Sequence, residues 1–108
     1  VLVGALGNDD SPRDYELMIT SNESRNPWLS DVAHAFANES VMSGKALLHW
    51  TYGGFFEEER GDLTVLTINT IIYSVRHIPP PPDGAPLPAD PFGQLAWLRG
   101  RLERAAAR

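Results

Sequence analysis

Three histidines are the residues of this chain best suited to catalytic or metal chemistry, because imidazole titrates near neutral pH and ligates metals. His34, His49 and His77 are far apart in the sequence and fall in different predicted elements. They lack the short ligand spacings of zinc sites. The chain contains no cysteine, which excludes thiol nucleophiles, thiolate zinc sites and disulfides. We therefore predict no catalytic set, no metal site and no cofactor.

A short segment after two consecutive glycines combines aromatic side chains with a run of carboxylates. Exposed rings are common anchors at protein interfaces, and carboxylates attract a basic partner over long range. We therefore predict a partner-binding surface here, in a loop or single helical turn. The alternative is that the rings fold back onto the sheet while the acids only solvate the loop. The predicted surface consists of Phe55, Phe56, Glu57, Glu58, Glu59 and Asp62.

A small enzyme or ligand-binding protein is the competing hypothesis. It depends on an imidazole that lies among aromatic residues in a predicted strand and could act as a general base near neutral pH. A closed apolar pocket with a carboxylate such as Glu16 at its mouth would favour this hypothesis, whereas a filled interior would favour a binding domain. The residues of this alternative pocket are His49, Trp50, Tyr52 and Tyr73.

Length and charge restrict the class of protein. The chain has 108 residues, which is enough for a single domain over residues 1–108, and 43 % of them are hydrophobic. Residues 1–90 hold thirteen acids and five bases, a charge of −8, whereas residues 91–108 hold one acid and four arginines, a charge of +3, for a total of −5. Because an acidic body repels phosphates, we predict no nucleic-acid partner. No run is long enough for a membrane span, so we predict a cytoplasmic protein without membrane contact.

The coarse pattern predicts an α+β domain. Asn26-Pro27 and Asp90-Pro91 each place a capping residue before a proline, a combination typical of helix starts. Seven prolines between residues 78 and 91 indicate an extended internal linker. We predict a four-stranded, mainly antiparallel sheet with two helices packed on one face. The predicted strands are 1–6, 14–20, 45–52 and 63–75, and the predicted helices are 27–40 and the amphipathic C-terminal helix 91–106.

The apolar positions of these elements predict the core. They recur every second residue in the strands and at helical spacing in the helices. The predicted core consists of Leu17, Ile19, Leu29, Val32, Phe36, Leu48, Leu66, Ile68, Ile72, Leu95, Leu98 and Leu102.

Residues 14–50 carry a resemblance to a known family. A strand with Glu16-Leu17 precedes a helix led by Trp28-Leu29, and a turn at Ser43-Gly44 precedes Trp50. This order resembles the suppressor of fused domain family, and Pro91-Phe92-Gly93 is similar to a segment of some members. The resemblance implies a non-enzymatic binding protein, because bacterial members are proposed as immunity proteins that neutralise a toxin and animal members sequester a transcription factor. We therefore predict a protein-binding domain, of immunity or sequestering type, with a basic protein as its partner.

Overall fold

Three α-helices and one β-hairpin form the regular structure of the part of the chain that the computed structural model describes. The described residues are 5–7, 10, 19, 21, 24–38, 44–74 and 89–108, without the side chains of 35–38. The elements are α1 (Pro27–Asn38), α2 (Gly44–Gly53), β1 (Phe56–Arg60), β2 (Leu63–Thr67) and α3 (Gln94–Ala106), with 3₁₀ turns at Ile71–Tyr73 and Pro91–Gly93.

The predicted four-stranded sheet is wrong. The described residues contain one sheet of two antiparallel strands, in which Phe56 pairs with Thr67 and Arg60 with Leu63. The hairpin turns over two residues, and Gly61 has a φ of +62°, a conformation that favours glycine. The α+β character remains, but helices dominate it. The predicted strands 1–6 and 14–20 lie almost entirely outside the described residues.

The predicted strand 45–52 is instead the helix α2. Its buried residues include Ala46, Trp50 and Gly53, which follow a spacing of four and three residues, while Leu48 is 75 % exposed. That spacing places the buried residues on one face of a helix. The helix ends at two glycines, and the N–H of Gly54, at a φ of +77°, donates to the carbonyl of Trp50 over 2.8 Å. A left-handed glycine that closes the last turn is a common end of a helix.

The predicted strand 63–75 is also shorter than expected. Of its described residues 63–74, only Leu63–Thr67 form a strand, and the chain then passes through the 3₁₀ turn Ile71–Tyr73. The segment predicted as a loop or helical turn contains the other strand, β1. Both differences arise because the partner strand supplies hydrogen bonds for five residues only. Pairing therefore decides the length of a strand more than β-propensity does.

The predicted start of the first helix is confirmed, and the predicted start of the C-terminal helix is wrong by three residues. α1 begins at Pro27, and α3 begins at Gln94, after the turn Pro91–Gly93. The Asp90 carboxylate accepts the backbone N–H groups of Leu95 at 2.8 Å and Ala96 at 3.0 Å. Asp90 thus satisfies free donors at the start of α3, as a capping residue does.

Trp50 lies at the centre of the core, between α1 and the hairpin. Its side chain is fully buried, and its indole Nε1–H donates to the carbonyl of Leu29 over 2.9 Å. Its ring meets Phe56 edge to face, with centroids 5.8 Å apart. Asn26 joins the same helices, since its backbone N–H donates to the carbonyl of Thr51 and its side-chain amide to that of Tyr52.

The predicted core is confirmed in part. Ile19, Leu29 and Ile72 are buried, and Val32, Leu66 and Leu98 are half-buried. Leu17 and the side chain of Phe36 lie outside the description. The prediction is wrong for four exposed residues, which are Leu48, Ile68, Leu95 and Leu102.

Candidate functional site

An open cleft of about 170 Å³ lies among residues of α2, β1 and α3. It brings together one residue of the predicted alternative pocket and three acids of the predicted partner-binding surface. Its lining residues are Lys45, His49, Glu57, Glu58, Glu59, Trp97 and Arg101.

The helical structure of α2 places its two basic side chains at the cleft and its tryptophan in the core. Lys45 and His49 are four residues apart, so they share one face of the helix, and both are exposed. Trp50 is the next residue and is turned about 100° further around the axis. In the predicted strand His49 and Trp50 would also have pointed to opposite faces, but Leu48, Trp50 and Tyr52 would have shared one.

Because successive side chains of β1 point to opposite faces of the strand, its carboxylates lie on both faces. Phe56 and Glu58 are buried on one face of the strand, whereas Glu57 is half-buried and Glu59 is exposed on the other. Asp62 is exposed in the hairpin turn. The accessible carboxylates of the predicted surface are therefore Glu57, Glu59 and Asp62.

The two aromatic rings of the predicted surface lie inside the domain. Phe55 and Phe56 are buried, and Phe55 packs against Trp97 with centroids 5.0 Å apart. Phe56 packs against Trp50 in the core. In this structure the rings hold α2, β1 and α3 together and do not form anchors on the surface.

Arg101 of α3 and Arg108, two residues beyond its end, supply cations to the acids of β1. Arg101 pairs with Glu57 over 3.2 Å, and Arg108 pairs with Glu59 over 3.6 Å. The Arg101 guanidinium also lies 5.9 Å from the centroid of the Trp97 ring. The charge division between residues 1–90 and 91–108 was the sequence signal for this contact. It was not sufficient to identify which residues pair.

The remaining residues of the alternative pocket lie apart from the cleft. Tyr52 is half-buried and packs edge to face on Phe92, with centroids 5.3 Å apart. Tyr73 accepts a hydrogen bond from Nε2 of Gln94 over 3.0 Å. Of the four predicted pocket residues, only His49 lines the cleft.

A buried polar junction holds α3 to the chain after β2. The backbone N–H of Asn69 donates to Oε1 of Gln94 over 2.6 Å, and Nε2 of Gln94 donates to the carbonyl of Asn69 over 2.8 Å. The Asn69 side-chain amide donates to the carbonyl of Gly53 over 2.9 Å. Both side chains are buried. Sequence patterns did not indicate this junction, because the two partners are 25 residues apart.

Tyr73 at the edge of this junction titrates above the usual range. Burial raises the pKa of the Tyr73 phenol, and the nearby Asp90 carboxylate raises it further, while the hydrogen bond from Gln94 lowers it. Because the pKa is raised in the folded state, the contribution of Tyr73 to stability is fully present below the unfolded pKa of about 10. This contribution is lost as pH rises through the folded pKa.

We therefore expect the stability of the wild type to fall more steeply with pH than that of Tyr73→Phe above about pH 10. Phenylalanine has no proton to lose, so the variant lacks this contribution to the slope. Urea unfolding at a series of pH values between about 8 and 11.5 measures the difference. Parallel curves for the two proteins would contradict the expectation.

No family model, no curated protein and no solved structure matches this chain. Among the described residues, no group of three or more histidine, aspartate or glutamate side chains is arranged to hold a metal ion. Within the same parts of the chain, no helix has both the length and the apolar character needed to cross a membrane.

Proposed function

We propose that this chain is a protein-binding domain that acts without catalysis and neutralises or sequesters a basic protein. The observation that carries the proposal is the position of the accessible carboxylates along β1 and its turn. The Glu59 side chain is 67 % exposed, and Asp62 is exposed at the tip of the hairpin. Such an edge attracts a positively charged surface over long range.

The ion pair between Arg108 and Glu59 leaves the carboxylates of β1 and its turn available to a partner protein. The pair between Arg108 and Glu59 is exposed on both sides and 3.6 Å long. Exposed pairs of this kind contribute about 0–1 kcal/mol, so a basic side chain of another protein could replace Arg108 at small cost. Glu57 is less available to a partner than Glu59, because its own partner Arg101 is largely covered and also contacts Trp97.

The composition of the cleft supports binding over the enzymatic alternative. A closed apolar pocket around His49 would favour an enzyme, but this cleft is open and is lined mainly by charged side chains. The Trp50 ring of the predicted pocket fills the core instead. The aromatic residues of the predicted pocket thus lie partly in the core and partly on other surfaces.

A charge-reversal experiment tests the proposal. The double variant Glu59→Lys/Asp62→Lys changes the accessible edge, and it leaves the buried Glu58 and the paired Glu57 intact. The matched control is Asp31→Lys/Glu103→Lys, which makes the same change in net charge at exposed positions of α1 and α3. Each protein is used for affinity capture from the native host at low and at physiological salt.

We expect the wild type and the control to recover the same basic protein, with less recovered as salt rises. The edge variant should lose it at both salt concentrations. Equal recovery by edge variant and control would contradict the assignment of the site. Recovery of no basic protein by the wild type at low salt would contradict the proposed function itself.

A further inference from the structure

Two of the three accessible carboxylates of β1 and its turn are already paired with cations of the same chain. Glu57 pairs with Arg101 over 3.2 Å, and Glu59 pairs with Arg108 over 3.6 Å. In the part of the chain that the structure describes, Asp62 makes no ion pair. A basic partner that binds along β1 must therefore replace Arg101 and Arg108, or bind at Asp62 alone.

The two ion pairs differ in how easily a partner replaces them. The side chains of Arg101 and Glu57 are 21 % and 22 % exposed, whereas those of Arg108 and Glu59 are 59 % and 67 % exposed. Water and salt screen a covered pair less than an exposed one. Arg101 also lies 5.9 Å from the centroid of the Trp97 ring, which adds a cation–π contact. Replacing Arg101 is therefore the larger obstacle to a partner.

The helix α3 is held beside β1 by contacts other than these ion pairs. At its start Gln94 makes two hydrogen bonds with the backbone of Asn69, and about one turn later Trp97 packs on Phe55. These contacts keep the arginines near the carboxylates when an ion pair opens. A short tether gives an effective concentration of about millimolar, so a partner in solution competes with the arginines of the chain at a disadvantage.

We infer that Arg101 and Arg108 act as an intramolecular competitor for the carboxylates of β1 and thereby lower the affinity of the domain for its basic partner. The inference rests on the proposed function, because it concerns the regulation of the same carboxylates. A densely basic surface replaces both arginines at once and also meets Asp62, whereas an isolated cation replaces one of them at most. The competitor thus favours densely basic partners.

The test measures binding of a fluorescein-labelled peptide of nine lysines to the full chain, by fluorescence anisotropy at low salt. The competitor variant is Arg101→Gln/Arg108→Gln. Its matched control is Arg99→Gln/Arg104→Gln, which alters exposed arginines of α3 that make no ion pair in the described parts of the chain. Both variants have the same net charge, so their long-range attraction for the peptide is similar.

We expect the competitor variant to bind the peptide about threefold to tenfold more tightly than its control, which is the range that two ion pairs of this kind produce. The difference should disappear in a Glu57→Gln/Glu59→Gln background, because the carboxylates for which the arginines compete are then absent. Circular dichroism melts establish that each variant is folded.

Equal affinity of the competitor variant and its control would overturn the inference, and so would a difference that persists in the Glu57→Gln/Glu59→Gln background. The same peptide tests the proposed function separately. Glu59→Lys/Asp62→Lys should bind it at least about threefold more weakly than Asp31→Lys/Glu103→Lys. Equal binding by these two variants would overturn the carboxylate site and this inference with it. Weaker binding here, without a gain in the competitor variant, would overturn the inference alone.

Discussion

Replacing Trp50 by alanine is expected to lower the free energy of unfolding by about 3–5 kcal/mol. The side chain is fully buried, so the variant loses its apolar contacts and leaves a cavity between α1 and the hairpin. It also loses the hydrogen bond to the Leu29 carbonyl and the edge-to-face contact with Phe56. In a domain whose total stability is about 5–15 kcal/mol, such a loss leaves a large fraction unfolded on mild heating. Denaturant unfolding followed by circular dichroism measures it.

The adjacent residue provides a matched control. His49→Ala truncates a side chain that is exposed on the same helix, and its effect should lie within about 0.5 kcal/mol of zero. A strand over residues 45–52 would place Leu48 and Trp50 in equivalent environments, so Leu48→Ala would then cost as much as a core leucine. A loss below about 1 kcal/mol for Trp50→Ala would contradict the central position of this ring.

Gln94→Leu is expected to cost about 2–6 kcal/mol, at about 1–3 kcal/mol for each of two buried backbone groups left without a partner. The amide of Gln94 bonds both the N–H and the carbonyl of Asn69, and leucine has a similar volume but no polar atoms. Unfolding in urea measures the total loss. Faster hydrogen exchange at the Asn69 amide tests whether the loss arises at this junction.

Two further variants separate the junction from general packing on α3. Gln94→Glu keeps an acceptor for the Asn69 N–H but places a buried carboxylate oxygen against the Asn69 carbonyl, so at neutral pH it should cost at least as much as Gln94→Leu. Leu95→Ala alters the next residue, which is half-exposed, and should cost less than either. If Gln94→Leu were as stable as the wild type, α3 would not be held through Asn69.

The beginning of α1 could be predicted to the residue, and that of α3 to within three residues, because the signals for them are local. A capping residue next to a proline restricts the backbone of its own few residues, and no distant part of the chain is needed to interpret it. The helical structure of α2 could not be predicted in the same way. A short apolar run fits both periods, and the choice depends on which residues face α1 and the hairpin.

The strand β1 could not be predicted from its own sequence either. A run of three glutamates has low β-propensity, yet it forms a strand because β2 supplies its hydrogen bonds and Phe56 and Glu58 are covered. The length of both strands is therefore a property of the pair. The sequence of either one predicts it poorly.

The chemical groups that this protein can present follow from its sequence alone: a carboxylate-rich segment after Gly53-Gly54, an arginine-rich last helix with a leucine repeat, and no thiol. Tertiary packing places Phe55 and Phe56 inside, pairs Arg101 and Arg108 with acids of β1, and leaves Leu95 and Leu102 of α3 outside. The reason is that composition and spacing describe one element at a time. Which side of α3 meets the core was decided by Gln94 and Trp97, whose partners Asn69 and Phe55 are distant in the sequence.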